Sequence, residues 1–190
     1  MRTQRGFTLF ELMITVAIGA LLVTLAVPSF NTMLQNNRLT SQINEFVATL
    51  QLARSEAVKR NETVILCATD DPAADPLDCT AAADWETGWI VFSDADSDGA
   101  PSATADECNA GADCIVAVHA AVEGLNTLRG EPAAVADSIA YQPSGISDDS
   151  GTFILCDPRG AGHAKAIVVS TTGRPRASKK KADGTALTCP

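Results

Sequence analysis

A long apolar segment near the amino terminus, which begins just after a single carboxylate, constrains this chain more than any other feature. Residues 12–30 contain no ionisable side chain, and about 20 helical residues, rising 1.5 Å each, span the roughly 30 Å hydrocarbon core of a bilayer. Glu11 lies at the start of this segment. Because an unpaired carboxylate is costly in hydrocarbon, Glu11 is expected to be functional and to require a partner. Arg2 and Arg5 precede the segment, which predicts a cytoplasmic leader and an exported head.

The residues around this carboxylate carry a processing signal. The run Gly6-Phe7-Thr8-Leu9-Phe10-Glu11-Leu12, after a basic leader, resembles the signal of type IV pilins and type II secretion pseudopilins. The resemblance implies cleavage by a prepilin peptidase between Gly6 and Phe7, methylation of the Phe7 amine, and assembly with other pilins into a filament. There, Glu11 would meet the free amine of a neighbouring subunit. The alternative, an ordinary secretory signal cleaved near residues 25–27, leaves Glu11 unexplained.

Apolar residues continue beyond the membrane segment with a helical period. Spacings of three and four mark one face of an amphipathic helix, formed by Leu39, Ile43, Phe46, Val47, Leu50, Ala53, Ala57 and Val58. Pro28 is expected to kink the helix. After a leader at 1–6, we therefore expect one helix from about residue 8 to residue 60, with a transmembrane and filament-core part at 7–30 and an amphipathic part at 31–61.

The remaining residues, 62–190, are expected to form one globular head rich in β-structure. Short runs bounded by turn residues predict strands at 63–68, 88–93, 115–119, 138–142, 152–156 and 164–170. Because no helical pattern separates these runs, the expected fold class is α+β, a long helix packed on antiparallel sheets; the pilin resemblance implies the same fold. The intervals 70–86 and 94–113 are rich in Ala, Asp and Gly and predict loops.

Six cysteines lie beyond the membrane segment and predict disulfide bonds. An even number suits an exported domain in the oxidising periplasm. Closing short loops favours Cys67 with Cys79, Cys108 with Cys114, and Cys156 with Cys189, although the sequence allows other pairings. A metal site is the weaker alternative, because no Cys-x-x-Cys occurs and only His119 and His163 could assist.

Charge is distributed unevenly along the head. Residues 70–113 hold twelve Asp or Glu and no Lys or Arg, whereas residues 159–190 hold seven Lys or Arg and one acid, Asp183. The net charge of −9 argues against a polyanionic partner for the surface as a whole. A local basic patch can still bind one if the acidic loops lie elsewhere.

The basic segment near the carboxyl terminus is the candidate binding site. It comprises Gly173-Arg174-Pro175-Arg176 and Ala177-Ser178-Lys179-Lys180-Lys181. Gly173 permits backbone conformations closed to other residues, and Pro175 fixes φ, so the two arginines are expected to project from a stiffened loop as phosphate donors. Lys179, Lys180 and Lys181 extend the basic track. Because the segment has no aromatic residue, we expect neither base stacking nor sequence reading.

This segment, with residues 89–92, 156–160 and 170–176, resembles the FimT, FimU and GspH group of minor pilins and pseudopilins. Gly-Arg-x-Arg is similar to the DNA-binding loop of FimT minor pilins, which act in DNA uptake during natural transformation. The resemblance implies non-specific binding of double-stranded DNA. It also implies that a single span holds the protein in the bacterial inner membrane, with the head in the periplasm, before the protein joins a pilus on the cell surface. Two alternatives bind no DNA: an assembly-priming minor pilin and a type II secretion pseudopilin. In either of them, the basic segment would be solvated or would contact an acidic surface of a neighbouring pilin.

Two other patterns are weaker. One pattern matches the opening of a calcium loop and consists of Asp94, Asp96 and Asp98 followed by Gly99. However, Ala105 occupies the place of the bidentate Glu. Asp and Gly also favour turns for local reasons. Catalysis has little support, because the two histidines are far apart and expected in surface or turn positions, and no nucleophile elbow or phosphate-binding loop occurs. We therefore expect neither an enzyme nor a cofactor.

Overall fold

A computed structural model describes residues 6–80, 84–102 and 112–190 and confirms the α+β fold. One α-helix, α1 (Leu9–Arg60), is followed in the described residues by strands and by two short 3₁₀ helices, Trp85–Thr87 and Ala133–Val135. The strands are β1 (Thr63–Ala68), β2 (Trp89–Asp94), β3 (Cys114–His119), β4 (Thr127–Glu131), β5 (Ser138–Tyr141), β6 (Gly151–Cys156), β7 (Lys165–Val169) and β8 (Pro175–Ser178). The helix expected from about residue 8 to residue 60 is confirmed, with Pro28 inside it.

The chain divides into two compact units, residues 1–38 and 39–190, and α1 contributes to both. In the first unit most apolar side chains of α1 are exposed, among them Phe10, Leu21 and Phe30. Within the described ranges, α1 is the one helix whose length and composition would let it cross a membrane, and its apolar window is unburied. This exposure fits a segment that meets lipid or other helices.

In the second unit, the described strands form two antiparallel sheets. Their orders are β3-β2-β1-β5 and β4-β6-β7-β8. All six strands expected from the sequence are present, and their ends differ from the prediction by at most one residue. β4 and β8 were not predicted, because TLRGE and PRAS are poor in β-branched and aromatic residues. Pairing with β6 and β7 decides their conformation.

The second half of α1 supplies one side of the core between the sheets. Phe46 is 1% exposed and meets Trp85, Trp89 and Phe153 edge-on, with ring centroids 4.9–5.4 Å apart. Most of the apolar face predicted from the spacing is buried, and Val47 is partly buried. The buried residues are Leu39, Ile43, Phe46, Leu50, Ala53 and Ala57. Val58 departs from the prediction, since it is 54% exposed.

Two of the predicted disulfides are confirmed. Cys67 is bonded to Cys79 and Cys156 to Cys189. The pairing of Cys108 with Cys114 stays a prediction, because Cys108 lies outside the described residues. The Cys156–Cys189 bond ties the carboxyl-terminal segment to β6, beside Ile154, Ala166 and Leu187.

Candidate nucleic-acid interface

The basic segment is partly a strand, whereas the sequence predicted a loop. Residues 175–178 form β8, the edge of the second sheet, where Arg176 is paired with Val168 of β7 and Ser178 with Ala166. Proline is tolerated at a sheet edge because its missing N–H need not face a neighbouring strand. The ladder therefore holds Arg176 on a fixed backbone.

Gly173 forms the turn that leads into β8, as the sequence predicted. Its φ is +70°, in the left-handed region that favours glycine. A Cβ at this position would lie 2.4 Å from the Gly145 carbonyl oxygen. The Gly173 amide donates to the Ser170 carbonyl oxygen at 2.8 Å, which closes the turn. Both the conformation and the close approach therefore require glycine.

A groove of about 390 Å³ opens beside this turn. It is lined by Val168, Ser170, Thr172, Arg174, Pro175 and Arg176. Both arginine side chains are exposed, and within the described part of the chain neither takes part in an ion pair or a side-chain hydrogen bond. The hydroxyls of Ser170 and Thr172 lie 2.8 Å apart. Two forked cations and two hydroxyls beside one groove suit a phosphate group.

The three lysines that follow have different surroundings. Lys179 and Lys180 are exposed, and their ammonium groups form no ion pair with the described residues. Lys181 is partly buried, and its Nζ lies 2.6 Å from Glu131 Oε2. Of the predicted basic track, Arg174, Arg176, Lys179 and Lys180 are therefore free to meet an anion, while Lys181 already has a partner.

The other described cations of this sheet and its turns also have side-chain partners, and Lys165 of β7 donates from Nζ to Thr40 Oγ1 at 2.6 Å. Arg129 is held by Asp84 and Glu86, and Arg159 by Asp157. Burial alone would raise the pKa of Asp157, but the hydrogen bonds and charge of Arg159 outweigh burial and leave that pKa below its usual range. The unengaged positive charge of the described sheet thus concentrates at β8.

Sequence reasoning missed Ser170, Thr172 and Glu131, because no local pattern distinguishes them from ordinary strand and turn residues.

At the amino terminus, the structure gives Glu11 a second, local role. Gly6, Phe7 and Glu11 are exposed. The Glu11 backbone amide donates to Thr8 Oγ1 at 3.2 Å, so Thr8 caps α1. Thr-x-x-Glu is the spacing of a capping box, and an acidic residue in the first turn complements the helix dipole. That spacing was visible in the sequence and was missed.

The acidic loop after β2 brings together a different set of carboxylates from the predicted one. Oxygens of Asp94, Asp96 and Asp113 lie within 4.8 Å of one another, without Asp98. Asp113 is 1% exposed and accepts hydrogen bonds from the amides of Ala95 and Ser102. Burial, followed by the charge of Asp113, raises the pKa of Asp94, although backbone hydrogen bonds oppose this shift. Residues 103–111, including Ala105, lie outside the described ranges, so the calcium alternative stays a prediction.

The histidines differ from each other. His163 is exposed in a turn, as expected. His119 instead ends β3 and stacks on Trp89, with ring centroids 5.1 Å apart. Its Nε2 lies 3.2 Å from Thr49 Oγ1, which donates its proton to the Glu45 carbonyl oxygen. Because that hydroxyl proton is already used, Thr49 is not arranged as a nucleophile with His119 as its base.

Two family matches cover most of the chain. Residues 42–173 match the Type II transport protein GspH family, from the buried half of α1 to the glycine that opens the basic turn. This chain belongs to the GspH family. Residues 1–27 match the prokaryotic N-terminal methylation motif. The GspH match and this motif identify a pilin-like protein of the minor pilin and pseudopilin group. The motif and the apolar helix indicate membrane anchoring, processing by prepilin peptidase and assembly with other pilins.

Solved structures show the fold of this GspH-family chain. The type IV minor pilin FimU of Pseudomonas aeruginosa superposes with a TM-score of 0.53 at 20% identity, over 76% of this chain and 90% of FimU. FimU in a second crystal form superposes with a TM-score of 0.51 at 19% identity, over 73% of this chain and 91% of FimU. At this identity the likeness establishes the pilin fold. Two fimbrial proteins of the same organism are 35% identical over 69 residues, which is 36% of this chain and 44% of their own lengths.

Proposed function

We propose that this GspH-family protein is a minor pilin of a type IV pilus that binds double-stranded DNA without sequence preference for uptake during natural transformation. One observation carries the proposal. Arg174 and Arg176 stand exposed beside a groove that also presents the Ser170 and Thr172 hydroxyls, and no described acidic residue neutralises them. Phosphate backbones supply the charge that this arrangement lacks.

The number of available cations sets the expected strength of binding. Arg174, Arg176, Lys179 and Lys180 would neutralise about four phosphates, so log K should fall with log salt at a slope of about −3.6. Affinity is expected on the order of 10⁻⁴ to 10⁻⁶ M, as for other non-specific binding. Binding of this strength serves uptake when the filament holds the DNA together with further contacts.

The proposal includes a route to the filament. A prepilin peptidase cleaves after Gly6, the Phe7 amine is methylated, and α1 anchors the protein in the inner membrane by a single span with the head in the periplasm. On assembly into the pilus, Glu11 pairs with the amine of a neighbouring subunit. Such pairing offsets the cost of a carboxylate among apolar helices.

A second candidate role uses the same exposed cations without DNA. In an assembly-priming minor pilin or a type II secretion pseudopilin, Arg174 and Arg176 would meet carboxylates of an adjacent subunit. The exposure of Arg174 and Arg176 favours this role as much as the first, because neither guanidinium group has a carboxylate partner among the described residues. Guanidinium groups recognise carboxylate and phosphate with similar geometry.

A DNA titration separates the two roles. The full-length protein in non-ionic detergent is titrated into fluorescent double-stranded DNA at several salt concentrations, beside Arg174→Ala/Arg176→Ala. Arg38→Ala/Lys59→Ala is the matched control, because it removes two exposed charges from α1. Micromolar binding that is about tenfold weaker in the first variant and retained in the control supports DNA uptake. Equal affinity in all three proteins, with pilus assembly lost in the first, supports the subunit contact.

A further inference from the structure

A line of contacts connects α1 to the turn that carries Arg174. Arg54, on α1, donates from Nε to the Gly145 carbonyl oxygen at 2.7 Å. Gly145 ends a tight turn after β5, in which its amide donates to the Gln142 carbonyl oxygen at 2.8 Å. A guanidinium donor makes a charge-assisted hydrogen bond, which is stronger than one between neutral groups. The helix therefore fixes the position of the Gly145 carbonyl.

The same carbonyl is the surface against which the basic turn rests. A Cβ on Gly173 would lie 2.4 Å from the Gly145 oxygen and 3.2 Å from Tyr141 Cε1. Gly173 thus packs on the oxygen that Arg54 holds. Gly145 is itself confined, since its φ is +76° and a Cβ there would lie 3.1 Å from Val58 Cγ2 and 3.4 Å from Arg54 Nε.

A backbone hydrogen bond ties the two turns together a second time. The Ser147 amide donates to the Thr171 carbonyl oxygen at 3.2 Å, and Ser147 Oγ donates to the Ala140 carbonyl oxygen at 3.0 Å. Thr171 lies between Ser170 and Thr172, whose hydroxyls line the groove. The turn at 142–147 therefore contacts both ends of the segment 171–173.

We propose that Arg54 is a positioning residue for the basic groove: by holding the Gly145 carbonyl, it fixes the turn that presents Arg174 and Arg176. The DNA part of this proposal rests on the proposed function, but the mechanical part does not. Arg54 acts through Gly145 and Gly173, not through contact with the ligand. Its side chain is partly buried, and its Nε is already used.

Hydrogen–deuterium exchange of the full-length protein in detergent tests the mechanical part. Arg54→Met keeps much of the apolar stem and removes the donor. Peptides that cover 142–147 and 170–174 are expected to exchange about tenfold faster in this variant, while peptides of β1 and β6 do not change. Lys59→Ala is the control, because Lys59 lies on the same helix, with its side chain 74% exposed and bonded to Glu56. Unchanged exchange in both turn peptides overturns the proposal.

If Arg54→Met fails to fold, Arg54→Leu, which also lacks a donor, replaces it in the same experiment with the same expected and contradicting results. Arg54→Gln is the rescue variant, because its Nε2 lies the same number of bonds from the backbone as arginine Nε and can donate to the Gly145 carbonyl oxygen. It is expected to exchange within about twofold of the wild-type rate in the same two peptides. Exchange as fast as in Arg54→Met would mean that the bond to Gly145 does not hold the turns, and it overturns the proposal.

A double-mutant cycle tests the link to binding. Arg54→Met is expected to weaken DNA binding about fivefold in the otherwise wild-type protein and by less than about 1.5-fold when Arg174→Ala/Arg176→Ala is present, because the residue acts through that turn. Additive losses would mean that Arg54 contacts DNA directly, and they overturn positioning. If the wild-type protein binds no DNA, the proposed function fails and the exchange experiment alone decides the role of Arg54.

Discussion

Lys181 Nζ lies 2.6 Å from Glu131 Oε2, which places the last lysine of the basic run against β4. β4 and β8 are opposite edges of the second sheet, with β6 and β7 between them. Three strand spacings of about 4.8 Å put the two edges roughly 14 Å apart. Lys181 is therefore separated from Arg176 although only five positions divide them in the sequence.

Removing Lys181 is expected to leave DNA binding nearly unchanged, because its ammonium group is held by Glu131 and the carboxylate that its removal exposes lies on the far edge of the sheet, beyond the Debye length of about 10 Å at 0.1 M salt. Lys181→Ala should change affinity by less than about twofold at 100 mM salt, whereas Lys179→Ala/Lys180→Ala should reduce the salt slope by about 1.8. The measurement is the same fluorescence titration at four salt concentrations. Glu131→Gln is the complementary variant and should strengthen binding by releasing Lys181. A large loss in Lys181→Ala alone would show that the ion pair opens when DNA binds.

Gly173→Ala is expected to destabilise the head by about 2–4 kcal/mol, because it combines left-handed backbone strain with a clash against the Gly145 carbonyl. Gly184→Ala is the matched control. Its φ is +85°, but nothing lies within 4 Å of the added Cβ, so about 1–2 kcal/mol is expected. Chemical denaturation gives both values. Equal losses in the two variants would mean that strain alone acts at Gly173.

Asp157→Asn is expected to lower the free energy of unfolding by about 2–3 kcal/mol at pH 7, because Arg159 loses its buried partner. The pKa of Asp157 is lowered in the folded protein, so its contribution is complete above 3.8, the ordinary pKa of aspartate. The contribution disappears as the pH falls through the folded-state pKa. Stability curves of both proteins between pH 7 and pH 2 should therefore converge in acid. A constant difference across this range would contradict the ion-pair explanation.

Replacing Cys156 and Cys189 by serine is expected to cost about 3.7 kcal/mol, since the bond closes a separation of 33 residues. Cys67→Ser/Cys79→Ser removes a bond across 12 residues and is expected to cost about 2.8 kcal/mol. Denaturation of each variant provides the comparison. DNA affinity should fall in the first variant, because β8 lies inside its closed loop, and stay unchanged in the second. A larger loss of stability in Cys67→Ser/Cys79→Ser than in the Cys156 and Cys189 variant would show that native contacts outweigh loop length.

Prediction from the sequence succeeded where the determining interactions are local. The period of α1 follows from side chains three and four positions apart, and the six predicted strands contain runs of apolar residues. Two disulfides followed from the short-loop rule. Gly173 was recognised because glycine, next to a proline that fixes φ, is typical of a turn that needs a backbone conformation closed to other residues. The capping role of Thr8 was equally local and was overlooked.

The prediction failed where partners are distant in the chain. PRAS has little strand propensity, and it becomes β8 because β7 offers an unpaired edge. The neutralisation of Lys181 depends on Glu131, fifty positions earlier. The exposure of Val58 depends on where the sheets end along α1, which helical spacing does not specify.

By itself, the sequence determined the membrane-competent helix, the processing signal, the strand-rich head and the concentration of positive charge near the carboxyl terminus, because periodicity, composition and short motifs encode these features. Only the tertiary structure decided which cations are free, how Arg54 and Gly145 support the basic turn, and which hydroxyls share its groove. Such properties depend on distances between residues far apart in the chain, and folding sets those distances through packing of the whole core.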